Sequence, residues 1–346
     1  MTNQYRAVQW NAHKKTYDFL ILLGVLVLIV GFVGTSVVLA QPNTDLPSPE
    51  ILVLRALGTG AATLLTLTLC IGPLARLDRR FAPLLYNRRH LGVTVGVLAL
   101  LHGFLATNWY HGFGVIDPLV SLLSSGSEAP GVPFQPLGLL ALIVLLIMAA
   151  TSHDYWLNAL GARIWKGLHM LVYPAWLLVI AHVAFGAMQT DTSPLIPGLL
   201  GLAILGVGGL HLVAGIKGRA ADSRRTPICD GWLDAGPLQD ILDGGARQVV
   251  KSDGAPIAVF RQGKQVSAIS GVCRHQGGPL AEGRIVDGCV TCPWHGYQYR
   301  PTDGTSPPPY EEKLETHKVE IRNGNVLVDP QPQPPGTHID PAEAQQ

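Results

Sequence analysis

The chain has 346 residues, of which only 14% are charged, and its formal net charge at pH 7 is +1. The mean hydropathy of +0.28 is typical of a membrane protein, and the apolar excess lies before residue 217. Because no basic patch is interleaved with aromatic residues, we expect no nucleic-acid partner. The five cysteines do not form the framework of a disulfide-rich domain.

Six apolar segments precede residue 217, and most reach the ~20 residues that a helix needs to cross a lipid bilayer. They lie at about 19–40, 51–74, 91–109, 136–151, 168–188 and 195–216. The fourth is short. The first ends as a signal peptide can, but its apolar stretch is too long for that class, so we expect a retained span. The sequence therefore predicts an all-α bundle of six transmembrane helices.

Lysine and arginine are concentrated in the loops on one side of the predicted membrane. They are Lys14, Lys15, Arg76, Arg79, Arg80, Arg88, Arg89, Arg163, Lys166, Lys217, Arg219, Arg224 and Arg225. The loops at 41–50, 110–135 and 189–194 contain neither residue. By the positive-inside rule, we expect a multi-pass protein of the inner (plasma) membrane with both termini in the cytoplasm.

Four histidines lie in or beside two predicted spans that run in the same direction. His90 and His102 belong to the third segment, and His169 and His182 belong to the fifth. Depth in the membrane can be counted from the polar residues that end these segments. By this count His102 lies at the same depth as His182, and His90 lies at the same depth as His169. The two depths are about 18–20 Å apart. Paired imidazoles at one depth are the ligands that a bis-histidine haem b needs. The pattern predicts a haem at His102 and His182.

A second haem, at His90 and His169, stays open. The spacings of 12 and 13 residues do not return to one helical face, and Pro174 can kink only the fifth segment. His90 can instead lie at the headgroups among arginines, and His169 can make a polar contact. Arg55, inside the second segment, can bind a haem propionate or extend to the membrane interface.

The part of the chain after residue 217 contains two cysteines and two histidines in two short motifs. C-R-H runs from Cys273 to His275, and C-P-W-H runs from Cys292 to His295 after sixteen intervening residues. A Rieske [2Fe–2S] cluster takes two thiolates on one iron and two imidazoles on the other, and a zinc site is the alternative for the same set. The motif predicts these four residues as iron ligands.

Over about residues 226–330, this motif closely resembles the Rieske ferredoxins and Rieske oxygenases. The resemblance implies a small all-β domain with the cluster at the tip of two loops. The extra cysteines of respiratory Rieske proteins are missing, and Tyr297 stands where those proteins have a serine, so we expect a low potential. Cys289 is left over, and we expect it to be a small buried strand residue.

The apolar region carries a second resemblance. The runs R-R-H-L-G at 88–92 and W-K-G-L-H at 165–169, together with His102 and His182, look like the ferric reductase-like transmembrane domain over about residues 50–215. This resemblance implies a helical bundle that holds one or two b haems and passes electrons across the membrane. No G-x-G-x-x-G dinucleotide motif follows the last span, and the Rieske region occupies its place.

These features predict a multi-domain protein. Its parts are an all-α transmembrane haem domain at 1–216, a linker at 217–227, an all-β Rieske domain at 228–330 and a disordered tail at 331–346. We expect an electron-transfer oxidoreductase with a cytoplasmic reductase or ferredoxin as donor. The acceptor would be a ferric chelate, a quinone or a partner subunit.

Two other functions are compatible with parts of this pattern. A membrane-tethered Rieske redox sensor or docking module without turnover is the alternative. A Rieske oxygenase needs a further iron site of two histidines and a carboxylate, and only His317 and His338 follow His295.

Overall fold

A computed structural model describes residues 12–38, 47–85, 88–124, 133–188, 194–222, 225–275, 277–293, 296–308 and 310–343. The chain divides into two compact units. One is a helical bundle, and the other contains the β-strands. The predicted fold class, an all-α membrane region followed by an all-β Rieske domain, is confirmed.

Nine α-helices precede the strands in the described part of the chain. They are α1 (Ala12–Val38), α2 (Pro49–Leu77), α3 (Ala82–Leu85), α4 (Arg88–His111), α5 (Pro118–Leu123), α6 (Gln135–Ala150), α7 (Asp154–His169), α8 (Val172–Ala187) and α9 (Leu195–Asp222). Most of the buried apolar residues of the bundle lie on α2, α4, α6 and α8. Apolar side chains of α1 and α9 point outward, as lipid-facing residues do.

Five helical stretches within the described residues are long and apolar enough to cross a membrane, against six predicted. They are Lys15–Val38, Pro49–Leu77, Arg88–His111, Ile164–Ala187 and Leu195–Arg219. The fourth predicted span is α6, which has 16 residues and begins just before Pro136. Proline at the first turn favours a helix start, and α6 accordingly begins at Gln135 with Phe134 as its N-cap. The count of six spans is therefore not confirmed.

The fifth predicted span is interrupted between its two histidines. Helix α7 ends at His169, and α8 begins at Val172 after a tight turn in which the Tyr173 N–H donates to the Met170 carbonyl over 3.2 Å. Pro174 has no N–H to donate to the Met170 carbonyl four residues earlier, so one regular helical hydrogen bond is missing where α7 and α8 meet. The two histidines consequently lie on two successive helices, His169 at the end of α7 and His182 within α8.

The second unit consists of three antiparallel sheets. Their strand orders are β1-β2-β11-β10, β12-β5-β4-β3 with β9 beside β5, and β6-β7-β8. The strands are β1 (Ile228–Cys229), β2 (Trp232–Pro237), β3 (Ala246–Val250), β4 (Pro256–Gln262), β5 (Gln265–Ser270), β6 (Arg284–Val286), β7 (Cys289–Thr291), β8 (Gln298–Tyr299), β9 (Thr316–His317), β10 (Val319–Arg322), β11 (Asn325–Val328) and β12 (Ala342–Glu343). Central strand β4 is buried at Ile257, Ala258, Val259 and Phe260, so it packs on both faces.

The C-terminal tail is ordered in the described residues. Strand β12 pairs with β5, and the Gln333 N–H donates to the Thr316 carbonyl over 2.8 Å. The buried Thr316 hydroxyl donates to the Thr337 carbonyl. The prediction of a disordered tail is therefore wrong for residues 331–343, because its backbone groups find partners on the sheet edge. The predicted linker also differs, since α9 continues to Asp222.

Candidate functional site

The described residues of the two predicted cluster loops share one pattern of backbone hydrogen bonds. The Cys273 N–H donates to the Gly278 carbonyl, and the Gly277 N–H donates back to Cys273. In the second loop, the Cys292 N–H donates to the Tyr297 carbonyl, and the residue four positions after this cysteine donates back to it. That residue in each loop is a glycine with a positive φ, 74° and 70°, which other residues rarely adopt.

The cysteines of both loops are buried in one hydrophobic cluster of the second unit. Cys273 and Cys292 are each 2% exposed, and both pack with Leu280, Val290 and Leu314. His275 is half-buried at the end of its loop. Two buried thiols and a more accessible imidazole suit a cluster whose sulfur-ligated iron lies inside and whose histidine-ligated iron lies nearer the surface. His295, the fourth predicted ligand, lies outside the described residues.

Tyr299 places a hydroxyl beside a predicted ligand sulfur. Its oxygen lies 3.4 Å from Cys273 Sγ and accepts a hydrogen bond from the Arg274 backbone N–H at 3.0 Å. Because that oxygen already accepts, its own proton can point at sulfur. Burial, followed by the nearby sulfur, raises the pKa of Tyr299 far above its ordinary value, so the hydroxyl remains a donor. Hydrogen bonds to ligand sulfur raise the cluster potential.

Tyr297 has a different role from the serine that it replaces. Its ring stacks on the His275 ring at 4.7 Å between centroids and 12° between planes. Its hydroxyl donates to Glu312, and burial followed by this bond raises the pKa of Tyr297. Position 297 therefore lacks a hydroxyl donor to the cluster, as the sequence predicts. The Tyr299 hydroxyl beside Cys273 Sγ is a donor that the ligand motif did not predict. Cys289 begins strand β7 and is half-buried, and burial raises the pKa of its thiol.

In the helical unit, the rings of His102 and His182 lie next to each other in a nearly perpendicular arrangement. Their centroids are 6.3 Å apart, and their planes make an angle of 81°. Nδ1 of His102 lies 2.9 Å from the Leu54 carbonyl oxygen, and Nδ1 of His182 lies 2.9 Å from that of Phe134. A carbonyl can only accept, so each Nδ1 carries the proton and each Nε2 keeps the lone pair that binds a metal.

This pair fits a haem iron. A metal–imidazole bond of about 2.0–2.1 Å would put two imidazoles on opposite sides of one iron with centroids about 6 Å apart. The observed separation agrees with that value. The donor set, two neutral imidazoles with fixed tautomers, is also the one that b-type haem takes.

The second predicted pair differs from the first. Nδ1 of His90 lies 2.7 Å from an Asp18 carboxylate oxygen on α1, whereas Nδ1 of His169 bonds to the Trp165 carbonyl at 3.0 Å. The His169 ring stacks on the Trp165 ring at 3.7 Å. Among the described residues, no ring contact joins His90 to His169. A carboxylate on Nδ1 does, however, orient a histidine for metal binding through Nε2.

The other polar groups of the bundle have local partners. Arg55 is exposed on α2 and directly follows Leu54, whose carbonyl binds His102. His111 is buried and bonds to Ser121, and His211 accepts from the Tyr173 hydroxyl at 2.9 Å. His111 and His211 thus have hydrogen-bond partners within the bundle. Asp18 carried a sequence signal, since it is an acidic residue beside an apolar span.

Comparison with known proteins gives two family matches and close relatives for each part of the chain. Residues 57–180 match the family described as "Ferric reductase like transmembrane component", and residues 231–318 match "Rieske [2Fe-2S] domain". The ferredoxin CarAc of Metapseudomonas resinovorans is 32% identical over 98 residues, which are 28% of this chain and 92% of the ferredoxin.

The relatives of the helical part are haem-binding subunits, named MsrQ, of protein-methionine-sulfoxide reductases. The Bordetella pertussis protein is 36% identical over 135 residues, which are 39% of this chain and 61% of that protein. The Salmonella paratyphi B protein is 34% identical over 149 residues, which are 43% of this chain and 70% of that protein. The two resemblances seen in the sequence are thus confirmed, as are the cofactors that they imply, a [2Fe–2S] cluster and haem. The chain belongs to the ferric reductase-like transmembrane family and carries a Rieske [2Fe–2S] domain after its last helix.

Proposed function

We propose that this membrane oxidoreductase carries single electrons between a cytoplasmic donor and an acceptor at the opposite membrane face. The bound [2Fe–2S] cluster and haem supply the one-electron chemistry. The protein residues hold these groups. Cys273, His275, Cys292 and His295 bind the cluster, and His102 and His182 bind the haem. The adjacent imidazoles of His102 and His182, 6.3 Å apart on α4 and α8, are the observation that carries the proposal.

The distribution of basic residues supports a cytoplasmic Rieske domain. The loop after α2 is rich in arginine, and arginine and lysine recur in the last turns of α9 and directly after it, whereas the loops at 41–50, 110–135 and 189–194 contain none. A reducing compartment also suits a cluster without the disulfide of respiratory Rieske proteins. The donor would then be a soluble cytoplasmic reductase or ferredoxin that approaches the Rieske domain near the half-buried His275.

The acceptor belongs at the end of the bundle where His102 lies. A cavity of about 390 Å³ opens there between the start of α2 and the end of α4, and Glu50, Leu54, Leu105, Asn108 and Trp109 contribute to its lining. Leu54 also provides the carbonyl that holds His102. A ferric chelate, a quinone or a partner subunit could be reduced at this end. The names of the MsrQ relatives, subunits of a reductase, favour a partner subunit.

A second haem at His90 and His169 is a further part of the proposal. Asp18 would fix the His90 ring, and the Trp165 carbonyl would fix His169. Both bonds leave Nε2 as the nitrogen available to iron. Arg55 would pair with a propionate of the haem at His102, because it follows the residue whose carbonyl binds that histidine.

The proposal is tested by optical and EPR redox titration of the full-length protein in detergent. We expect a Rieske EPR signal together with a b-type Soret band, and the haem-to-protein ratio distinguishes one haem from two. Reduction of the haem by a donor that reduces the cluster supports electron transfer through the chain. A cluster in protein that contains no haem would contradict the proposal and favour the redox sensor.

Substitutions at the ligands give a second measurement. His182→Ala is expected to abolish the haem bound at His102, because one imidazole cannot hold a six-coordinate b haem. His211→Ala is the matched control, since this bundle histidine bonds to Tyr173 and not to His102. Cys273→Ser is expected to remove the Rieske signal and leave the Soret band. Unchanged haem content in His182→Ala would show that the ligand assignment is wrong.

A further inference from the structure

Two pairs of helices in the helical unit carry identical residues at an offset of 80 residues. The residues identical at this offset include the buried pairs Ala61/Ala141 and Leu65/Leu145 and the pairs Leu57/Leu137, Gly58/Gly138 and His102/His182. Helices α2 and α4 form the first pair, and α6 and α8 form the second. One of the two adjacent histidines lies in each pair.

The same hydrogen bond recurs in both pairs of helices. Nδ1 of His102 bonds to the carbonyl 48 residues earlier, at Leu54, and Nδ1 of His182 bonds to the carbonyl 48 residues earlier, at Phe134. Each carbonyl lies one helical turn before a glycine of the same helix, Gly58 or Gly138. The Phe134 carbonyl also accepts from the Gly138 N–H at 3.3 Å, so this one oxygen serves both the helix and the imidazole.

The glycines are where the imidazoles touch the helix. A Cβ at Gly58 would lie 2.8 Å from both Nδ1 and Cε1 of His102, and a Cβ at Gly138 would lie 2.6 Å from Nδ1 of His182. Ordinary contacts between such atoms are about 3.5–4.0 Å. Any side chain at these two positions would therefore push the ring away from the carbonyl that fixes its tautomer. Gly60, two residues farther along α2, meets only one atom at 3.9 Å.

We propose that Gly58 and Gly138 are positioning residues for the haem, each forming a seat that lets one imidazole place its Nδ1–Cε1 edge against the backbone of the neighbouring helix. The proposal rests on haem ligation by His102 and His182. In the seat, a backbone carbonyl accepts the Nδ1–H bond and so fixes the tautomer of the imidazole. Nε2 is then the unprotonated nitrogen. No side-chain substitution can remove this carbonyl. The two seats are 80 residues apart in the sequence, and the imidazoles that they hold, those of His102 and His182, lie next to each other.

The test compares Gly58→Ala and Gly138→Ala with Gly60→Ala in the full-length protein. The readouts are the haem-to-protein ratio, the low-spin haem EPR signal and the haem midpoint potential, and the Rieske EPR signal reports that the chain is intact. We expect each seat variant to lose at least half of the haem or to shift its low-spin signal, with the Rieske signal retained. Gly60→Ala is expected to behave as the wild type. Wild-type haem content and spectra in both seat variants would overturn the proposal.

Two further variants separate this proposal from ligation and from misfolding. Loss of haem in His102→Ala supports haem ligation by His102. If Gly58→Ala binds haem normally in that case, the proposed role of the glycine seat is wrong although the ligand assignment stands. If Gly58→Ala accumulates poorly, His102→Gly/Gly58→Ala is compared with it, because removing the ring removes the clash. Recovery of the protein level, measured by the Rieske signal, supports the seat. A defect that persists without the imidazole would overturn it.

Discussion

Two tyrosine hydroxyl groups near the Rieske loops are residue-scale features that the ligand motif does not include. Tyr297 and Tyr299 are two residues apart in the sequence, but their hydroxyls have different partners. The first donates to Glu312, and the second lies 3.4 Å from Cys273 Sγ. Sequence comparison with a serine at position 297 predicted one donor fewer to sulfur. The structure keeps a donor at position 299, so the expectation of a low potential depends on how strongly Tyr299 binds sulfur.

Tyr299→Phe is expected to lower the cluster midpoint potential by several tens of millivolts, since about 1.4 kcal/mol corresponds to 59 mV for one electron. Loss of a hydrogen bond to sulfur destabilises the more negative, reduced cluster. An EPR-monitored titration of the full-length protein measures the shift. Tyr297→Phe is the control, because its hydroxyl bonds to Glu312, and its potential should change less. A Tyr299→Phe potential equal to that of the wild type would contradict the role of this hydroxyl.

At the scale of elements, the C-terminal tail acts as part of the β-unit. Its bonds join β12 to β5 and residues 333–339 to Thr302, Leu314 and Thr316. A proline-rich, polar composition predicted disorder because such a segment cannot bury much apolar surface. The tail is ordered instead by backbone hydrogen bonds to a sheet edge, which composition does not reveal.

Truncation after Pro330 is expected to lower the stability of the Rieske unit. It leaves the hydroxyl of buried Thr316 without the Thr337 carbonyl, at a cost of about 1–3 kcal/mol. For a unit of this size, each 1 kcal/mol lowers Tm by roughly 4–8 °C. The change is measured as the difference in Tm between the truncated and the full-length protein, with the thermal loss of the Rieske absorbance as the signal. Removal of 344–346 alone retains β12 and serves as the control; an equal Tm for both truncations would contradict the expectation.

At the scale of the whole molecule, one chain combines a membrane haem domain with a Rieske domain. The proposed function depends on the side of the membrane on which the Rieske domain lies, because a cytoplasmic donor can reach the cluster only if the β-unit faces the cytoplasm. The exposed Cys229 of β1 makes this orientation measurable. The cluster cysteines, by contrast, are buried.

A membrane-impermeant maleimide is expected to label Cys229 in inverted membrane vesicles and not in right-side-out vesicles. The positive-inside distribution of basic residues is the physical reason. Cys229→Ser identifies the labelled site, because the label should disappear in that variant. Labelling in right-side-out vesicles would place the Rieske domain on the opposite side and reverse the proposed direction of donor access.

The sequence by itself determined the two families, the membrane character and the cluster motif, because each rests on short-range information. A helix span is a run of neighbouring residues, and Cys273 and His275 belong to one loop. The tertiary structure alone decided which groups meet across long separations. His102 finds the Leu54 carbonyl 48 residues away, and His90 finds Asp18 72 residues away. Backbone carbonyls and glycines leave no trace in a list of metal-binding side chains, so these partners became visible only when the helices packed.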